Sequence, residues 1–242
     1  MAYVQRDHDR GVRVLTLDSP HNRNALSTRL VTELHEELAA AAKDPQTRAV
    51  LLTHTGTTFC AGADLTERAP TGPEELARLL RCVVELPKPV VARVTGHVRA
   101  GGLGLLAACD VAVAGPEATF AFTEARLGLA PAVISLTVLP RVEPRAIARY
   151  YLTGEVFNTA EALRIGLVSA GQEALDGILD GLRAASPQGL AESKRLTTAE
   201  LLRGFDRDTG AYAEQSARLF TSAAAAEGVR AFLERREPSW KV

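Results

Sequence analysis

Apolar positions along the chain fall first into short alternating runs and later into helical stripes. Residues 12–17 (VRVLTL) alternate with a period of two and close on Asp18-Ser19-Pro20, the pattern of a strand ended by a turn. Leu30, Val31, Leu34 and Leu38 recur at helical spacing. They predict a helix over 28–43, with Ser27 as its N-cap and Asp44-Pro45 as its end. Residues 48–54 (RAVLLTH) read as a buried strand, 55–64 (TGTTFCAGAD) as a loop of small residues, and 74–85 as a helix stopped by Leu86-Pro87. A further strand over 89–94 (PVVARV) breaks at Thr95-Gly96. Gly101-Gly102 then open an apolar helix over 103–109, and 111–114 and 119–122 are short strands.

After about Ala130 the pattern becomes helical, with helices predicted over 143–152, 159–165, 175–185, 189–202 and 209–233. Two β–α units in succession followed by another strand imply right-handed parallel crossovers covered by helices. The expected fold class is therefore α/β, with a β/α core over 1–175 and a helical region over 176–242 suited to capping or subunit contact.

Composition narrows the possibilities without identifying a reaction. A chain of 242 residues with 46% hydrophobic and 24% charged residues is ordinary for a globular protein that buries a sizeable core. The formal net charge of −1 gives no general attraction to nucleic acid or an acidic membrane, although a local basic patch can still grip a phosphorylated ligand. Cys60, Cys82 and Cys109 have neither zinc-site nor CxxC spacing and read as reduced, mostly buried thiols. No metal site is expected. The polar start MAYVQRDHDRG lacks the apolar segment of a signal peptide, and no apolar run reaches the ~20 residues of a membrane span, so a cytoplasmic location is expected.

Candidate chemistry centres on 88–110 (KPVVARVTGHVRAGGLGLLAACD). Glycines at a loop-to-helix junction let backbone approach a ligand, and the first helical N–H groups have no intrahelical partner. With the positive end of the helix dipole, those donors favour an oxygen that gains negative charge, half of an oxyanion hole. A tight turn that packs helix on strand accounts for the same glycines. The spacing is not GxGxxG, GxxxxGK[ST] or GxSxG, so neither a nucleotide cradle nor a nucleophile elbow is indicated. Glu124 follows an apolar strand, where a carboxyl can have a raised pKa and serve as acid or base near neutrality. Read alone, a salt-bridged surface residue is the better reading of it. His97 lies near the glycine turn and reads as a packing or hydrogen-bonding residue, and no histidine has a nucleophile beside it.

The ordered runs SPHNRNAL, TTFCAGADL, KPVVARVTGH…AGGLGLLAACD and ATFAFTEARLGLAP are more specific together than any one of them. They resemble the crotonase superfamily, the enoyl-CoA hydratase/isomerase family. The likeness runs from about Val12 to Ala170 through LTGEVFNTAEALRIGLVSA and continues in SPQGLAESK. It implies a spiral of ββα units with a helical trimerisation region, assembled as a homotrimer or a dimer of trimers, and an acyl-CoA substrate. No cofactor is implied beyond the CoA of the substrate. By the same resemblance, the backbone N–H groups of Ala63 and Gly101 hold the thioester oxygen. Ala25, Ala61, Asp64, Leu65, Thr66 and Gly102 join them along the CoA path, and Arg23 lies near the CoA phosphates. A transition state of enolate character needs such donors, each worth ~10²–10³ in rate.

Glu124 matches the second of the two catalytic glutamates of the well-known hydratases, whereas the position of the first is Gly104. A single carboxylate at the Glu124 position is what the family's Δ3,Δ2-enoyl-CoA isomerases use. The pairing of AGGLGLLAACD with EARLGLAPAVIS also resembles a bacterial subgroup of methylglutaconyl-CoA-type hydratases, which likewise have glycine at the first position. Hydration of a 2-enoyl-CoA is the leading expectation, double-bond isomerisation the alternative, and non-catalytic acyl-CoA binding a third. Arg99 stands where the family has an apolar residue. It reads either as a surface or interface arginine or as a fork for a carboxylate on the acyl group.

Overall fold

The computed structural model describes residues 2–67 and 71–242. β1 (Val4–Asp9) and β2 (Val12–Leu17) form an antiparallel hairpin, and α1 (Thr28–Lys43) follows. The chain then winds in repeated units of a longer strand, a short strand and a helix. These are β3 (Ala49–His54), β4 (Thr58–Cys60) and α2 (Pro73–Glu85), then β5 (Val90–Val94), β6 (His97–Arg99) and α3 (Gly101–Ala108). The next turn starts with β7 (Val111–Ala114) and β8 (Thr119–Ala121). It continues through α4 (Ser135–Val138), α5 (Pro144–Thr153), β9 (Phe157–Asn158), α6 (Thr159–Arg164) and β10 (Ala170–Gly171). α7 (Leu175–Ala184), α8 (Pro187–Phe220) and α9 (Ala223–Leu233) complete the chain.

The longer strands form a sheet in the order β1-β2-β3-β5-β7-β10, parallel from β2 onward, and the short strands form a second sheet in the order β4-β6-β8-β9. Each turn thus feeds one strand to each sheet, which is the expected spiral of ββα units. Both faces of the larger sheet are covered, so its strands are apolar without strict alternation. Val50, Leu52, Val90 and Ala92 join the main core with α1, α2 and α3, while Leu51 and Val91 pack with Val12 against Leu179 of α7. All eight residues of α3 are buried, which explains why GGLGLLAA has no polar face.

Several boundaries follow local chemistry. Ser27 Oγ accepts from Leu30 N at 3.3 Å and caps α1 as expected, and Glu143 accepts from Arg145 N and Ala146 N at the start of α5. Other features differ from expectation. β1 is an exposed edge strand whose polar sequence has no apolar alternation; backbone pairing alone makes it a strand. Its turn is Arg10-Gly11, both at positive φ, the conformation that a two-residue hairpin loop requires. β4 and β6 lie in segments read as loop, since three residues are too few to show a period. The helices expected over 189–202 and 209–233 are instead one 34-residue helix, α8, followed by α9. Gly204 lies in the gap between the expected helices, but a glycine costs a helix only about 1 kcal/mol, and the real boundary is Ser222, whose Oγ accepts from Ala225 N at 3.1 Å.

α8 is pinned to the core by Lys194, which is only 6% exposed. Its Nζ donates to Val83 O (2.9 Å) and Lys88 O (3.1 Å) and pairs with Asp110 Oδ2 at 2.8 Å. Among the described residues, no helix is long and apolar enough to cross a membrane.

Candidate active site

Two chain segments meet where the glycine turn was expected to act. The loop after β4 runs beside 23–26: Ala61 N donates to Arg23 O (3.1 Å), Leu26 N donates to Gly62 O (2.8 Å), and Leu26 bridges Ala63 in parallel. Gly62, at φ 89°, turns the loop toward the start of α3. A Cβ on Gly101 would lie 3.5 Å from Gly62 Cα and 3.8 Å from Ala63 N, so the Ala63 and Gly101 backbones are immediate neighbours. Gly101 is the first residue of α3, where an N–H has no intrahelical acceptor, and neither amide has an acceptor among the described residues. The geometry offers two adjacent donors, one of them at a helix N-terminus.

The approach needs small residues. A Cβ on Gly102 would be 2.7 Å from Cys60 Cβ and 2.8 Å from Cys60 O, so α3 begins in backbone contact with β4. Ala100, just before the turn, adopts φ 45° and ψ −119°, a conformation an L residue rarely takes. Such strain persists only where surrounding structure imposes it, and Ala100 N is held by Ala121 O at 3.2 Å.

The turn at 22–24 is anchored by Asn24, a buried residue at φ 52°. Its Nδ2 donates to Thr55 O (3.1 Å) and Thr58 O (2.7 Å), and its Oδ1 accepts from Ser19 N (2.7 Å). Arg23 therefore projects from a fixed turn with its side chain exposed, and Ala25 beside it is buried. Asp64 accepts from Thr66 N (3.0 Å), Thr66 Oγ1 (2.6 Å) and Asn22 Nδ2 (2.9 Å), which joins the two loops. Burial would raise its pKa, but these hydrogen bonds outweigh that and hold it below the ordinary value. Leu65 is half-buried and Thr66 exposed on the same loop.

Glu124 opens a 3-10 turn (Glu124–Leu127) directly after β8 and is 8% exposed. Its Oε2 is buried without a hydrogen-bond partner. Burial raises its pKa from 4.5 to about 7, against a smaller lowering by its own backbone N–H. The salt-bridged surface reading is thereby excluded. The Tyr151 ring packs 4.8 Å from that of Phe122, two residues before Glu124, and its hydroxyl pairs with Ser135 Oγ at 3.2 Å. Burial raises the Tyr151 pKa; the Ser135 hydrogen bond opposes this, and the Glu124 charge adds to it.

At Gly104 the space for a side chain is taken. A Cβ there would lie 2.5 Å from Ile134 Cγ2 and 2.7 Å from Ile134 Cβ, and Thr137 Oγ1 donates to Gly104 O at 3.0 Å. Arg99 donates to Val98 O (2.9 Å), Thr119 O (2.7 Å) and Thr119 Oγ1 (2.9 Å), bonds that tie it to the β6–β8 pair. His97, on the same face of β6, is exposed and also meets Thr119 Oγ1, at 2.8 Å. Cys60 and Cys109 are buried free thiols whose pKa burial pushes up to about 12, and Cys82 is half-buried and free. Ile134, Asn24 and Tyr151 had not been singled out: contact with Gly104 is set by the tertiary path, whereas two asparagines flanking an arginine offered some signal for Asn24.

Comparison with known proteins shows what the chain is similar to. The model of the enoyl-CoA hydratase/isomerase family matches residues 7–242. The crystal structure of an enoyl-CoA hydratase from Mycobacterium avium is 52% identical with a TM-score of 0.93, covering 100% of both chains. A 2,3-dehydroadipyl-CoA hydratase of Escherichia coli is 33% identical, covering 95% of this chain and 95% of that protein. The mitochondrial methylglutaconyl-CoA hydratase of Mus musculus is 30% identical, covering 97% of this chain and 81% of that protein.

Proposed function

The chain belongs to the enoyl-CoA hydratase/isomerase family, and we propose that it hydrates a 2-enoyl-CoA with Glu124 as its single acid/base. Acyl-CoA is the substrate class of the family, and hydratases are the relatives that span its length. The observation that carries the residue assignment is the buried Glu124 carboxyl, whose Oε2 has no partner and whose pKa burial raises to about 7. A base poised there is ionised in an appreciable fraction at neutral pH and still strong enough to take a proton.

In this reading the thioester oxygen accepts from the Ala63 and Gly101 N–H groups. Ionised Glu124 takes a proton from water as the water oxygen bonds to C3 of the substrate. The C2–C3 π electrons move toward the thioester oxygen, where the two amides and the α3 dipole stabilise the enolate charge. Glu124 then returns its proton to C2. The exposed Arg23 side chain is assigned to the CoA phosphates, with Ala25, Ala61, Asp64, Leu65, Thr66 and Gly102 along the CoA path. Arg99 is assigned to the β6–β8 pair, where its observed bonds lie. No cofactor besides the CoA of the substrate takes part in this scheme. The same reading takes the protein to be cytoplasmic. It also makes it a homotrimer or dimer of trimers, an assembly supported by apolar side chains exposed on the helical tail, including Leu196, Phe220, Phe232 and Leu233.

One observation favours the isomerase as second reading. Ile134 occupies the space above Gly104, so no second carboxylate fits there to share the water. Crotonyl-CoA, 3-methylglutaconyl-CoA and a 3-enoyl-CoA, each followed by mass spectrometry with native protein and Glu124→Gln, separate the readings. A product heavier by one water, lost by ~10²-fold or more in the variant, is expected. A product of unchanged mass with a moved double bond makes it an isomerase, and binding without turnover on all three leaves an acyl-CoA binder.

A further inference from the structure

The turn that carries Glu124 is held from two sides, and one side is α9. Arg126 Nε donates to Thr153 O at 3.0 Å, which ties the turn to the end of α5. Opposite, α9 comes so close that a Cβ on Gly228 would lie 2.5 Å from Leu127 C and O and 2.7 Å from Leu127 Cα. The contact is doubled by a second glycine: a Cβ on Gly128 would lie 2.7 Å from Ala224 C and 2.8 Å from Ala224 O. Gly128 also sits at φ 72°, closing the 3-10 turn. These are backbone-to-backbone contacts, in which no flexible side chain can give way. The buried residues of α9 are Ala225, Gly228 and Ala231, so its inner face offers no large side chain to hold it elsewhere.

No other residue aims the Glu124 Oε2, which finds no partner, and the carboxyl's remaining contact is with its own backbone N–H. Its direction is set by the backbone of its turn, whose first carbonyl accepts from Leu129 N at 2.9 Å and from Gly128 N. We propose that α9 positions Glu124 for proton transfer and shields it from bulk solvent, acting through the contacts of Gly228 with Leu127 and of Gly128 with Ala224. The inference rests on the reading of Glu124 as acid/base. Gly228 is a positioning residue, since it reaches the reaction only through the turn.

The charged and titratable groups around the turn are mostly engaged with one another. On α9, Glu227 pairs with Arg236 at 2.7 Å and accepts from Ser239 N at 2.9 Å, and Arg230 lies two residues beyond Gly228. On the α5 side, Arg149 pairs with Glu155 at 2.5 Å, and Tyr151 feels the Glu124 charge and that of Tyr212 on α8. Ser135 of α4 bonds Tyr151, and α3 contributes no charged group. What changes when α9 moves is therefore chiefly access of bulk solvent to Glu124.

The test is Gly228→Ala, which must push α9 away from Leu127. A shift on the order of 1 Å at a catalytic group can cost ~10²-fold. A fall in kcat of tenfold or more is expected, with the affinity for saturated butyryl-CoA within threefold of native. Water reaching the carboxyl also moves the ascending limb of the rate profile to lower pH. Ser222→Ala, which removes the α9 cap without adding atoms, moves both readouts the same way if Gly228→Ala does not fold. Gly204→Ala, where an added Cβ meets nothing within 4 Å, leaves them unchanged. Native kcat and an unmoved limb in both variants overturn the proposal, as does a lower kcat with the limb at its native pH. Activity retained by Glu124→Gln overturns the reading beneath it; an inactive Glu124→Gln beside a native-like Gly228→Ala overturns the α9 inference alone.

Discussion

Glu124 costs the folded protein stability, and the cost is predictable in sign and size. Its carboxyl ionises near 4.5 in a solvated chain and at about 7 in the folded one. Between those values the folded state holds a proton that the unfolded state has released. Stability from this group is therefore fully present below pH 4.5 and is lost as pH rises through 7. At about 1.4 kcal/mol per pH unit, the loss is about 3 kcal/mol. Glu124→Gln keeps the shape and cannot ionise. It should match the native protein at about pH 4 and exceed it by about 3 kcal/mol at about pH 8, near 10 °C in Tm for a chain of this size. Urea titrations of both proteins across that range, without acyl-CoA, measure the difference directly. A stability gap that does not change with pH would refute the reasoning, because it would mean that Glu124 is not a dry, unpartnered carboxyl.

Other perturbations probe the frame of the site. Gly104→Glu, which restores the family's first carboxylate, is expected to gain no hydration and to lose about 1–3 kcal/mol by overpacking Ile134; a stable variant with faster hydration would contradict this. Ala63→Pro removes one of the two adjacent amide donors and should cut kcat by ~10²–10³ while Tm stays within a few degrees, measured by steady-state rates and calorimetry. Lys194→Met leaves Asp110 buried without its cation and should cost about 3–5 kcal/mol in urea unfolding, with partial recovery in the double variant that adds Asp110→Asn.

Much of the fold was legible because its longer strands and its first two major helices carry their own signals. β3 and β5 are apolar runs bounded by turn residues, and α1 has a complete cap and stripe. β1, β4 and β6 were not legible, since an exposed edge strand and three-residue strands owe their state to a neighbour's backbone. The sequence pattern leaves a gap over 203–208 between two helices, whereas packing along the 34 residues of α8 carries the helix through it.

Sequence by itself determined the glycine turn at 101–102, the small-residue loop at 61–63, and a carboxyl placed after an apolar strand, because these depend on residue type and local order. It could not determine that Ala63 N and Gly101 N are neighbours, that Ile134 fills the space over Gly104, or that α9 lies on the Glu124 turn. Those facts join positions from about 30 to 100 residues apart, and only the winding of the spiral and the return of the C-terminal helix bring them together. Tertiary packing also separates the two readings of Glu124. Residue type allows either a solvated or a dry carboxyl, and its raised pKa exists only once tertiary packing removes water.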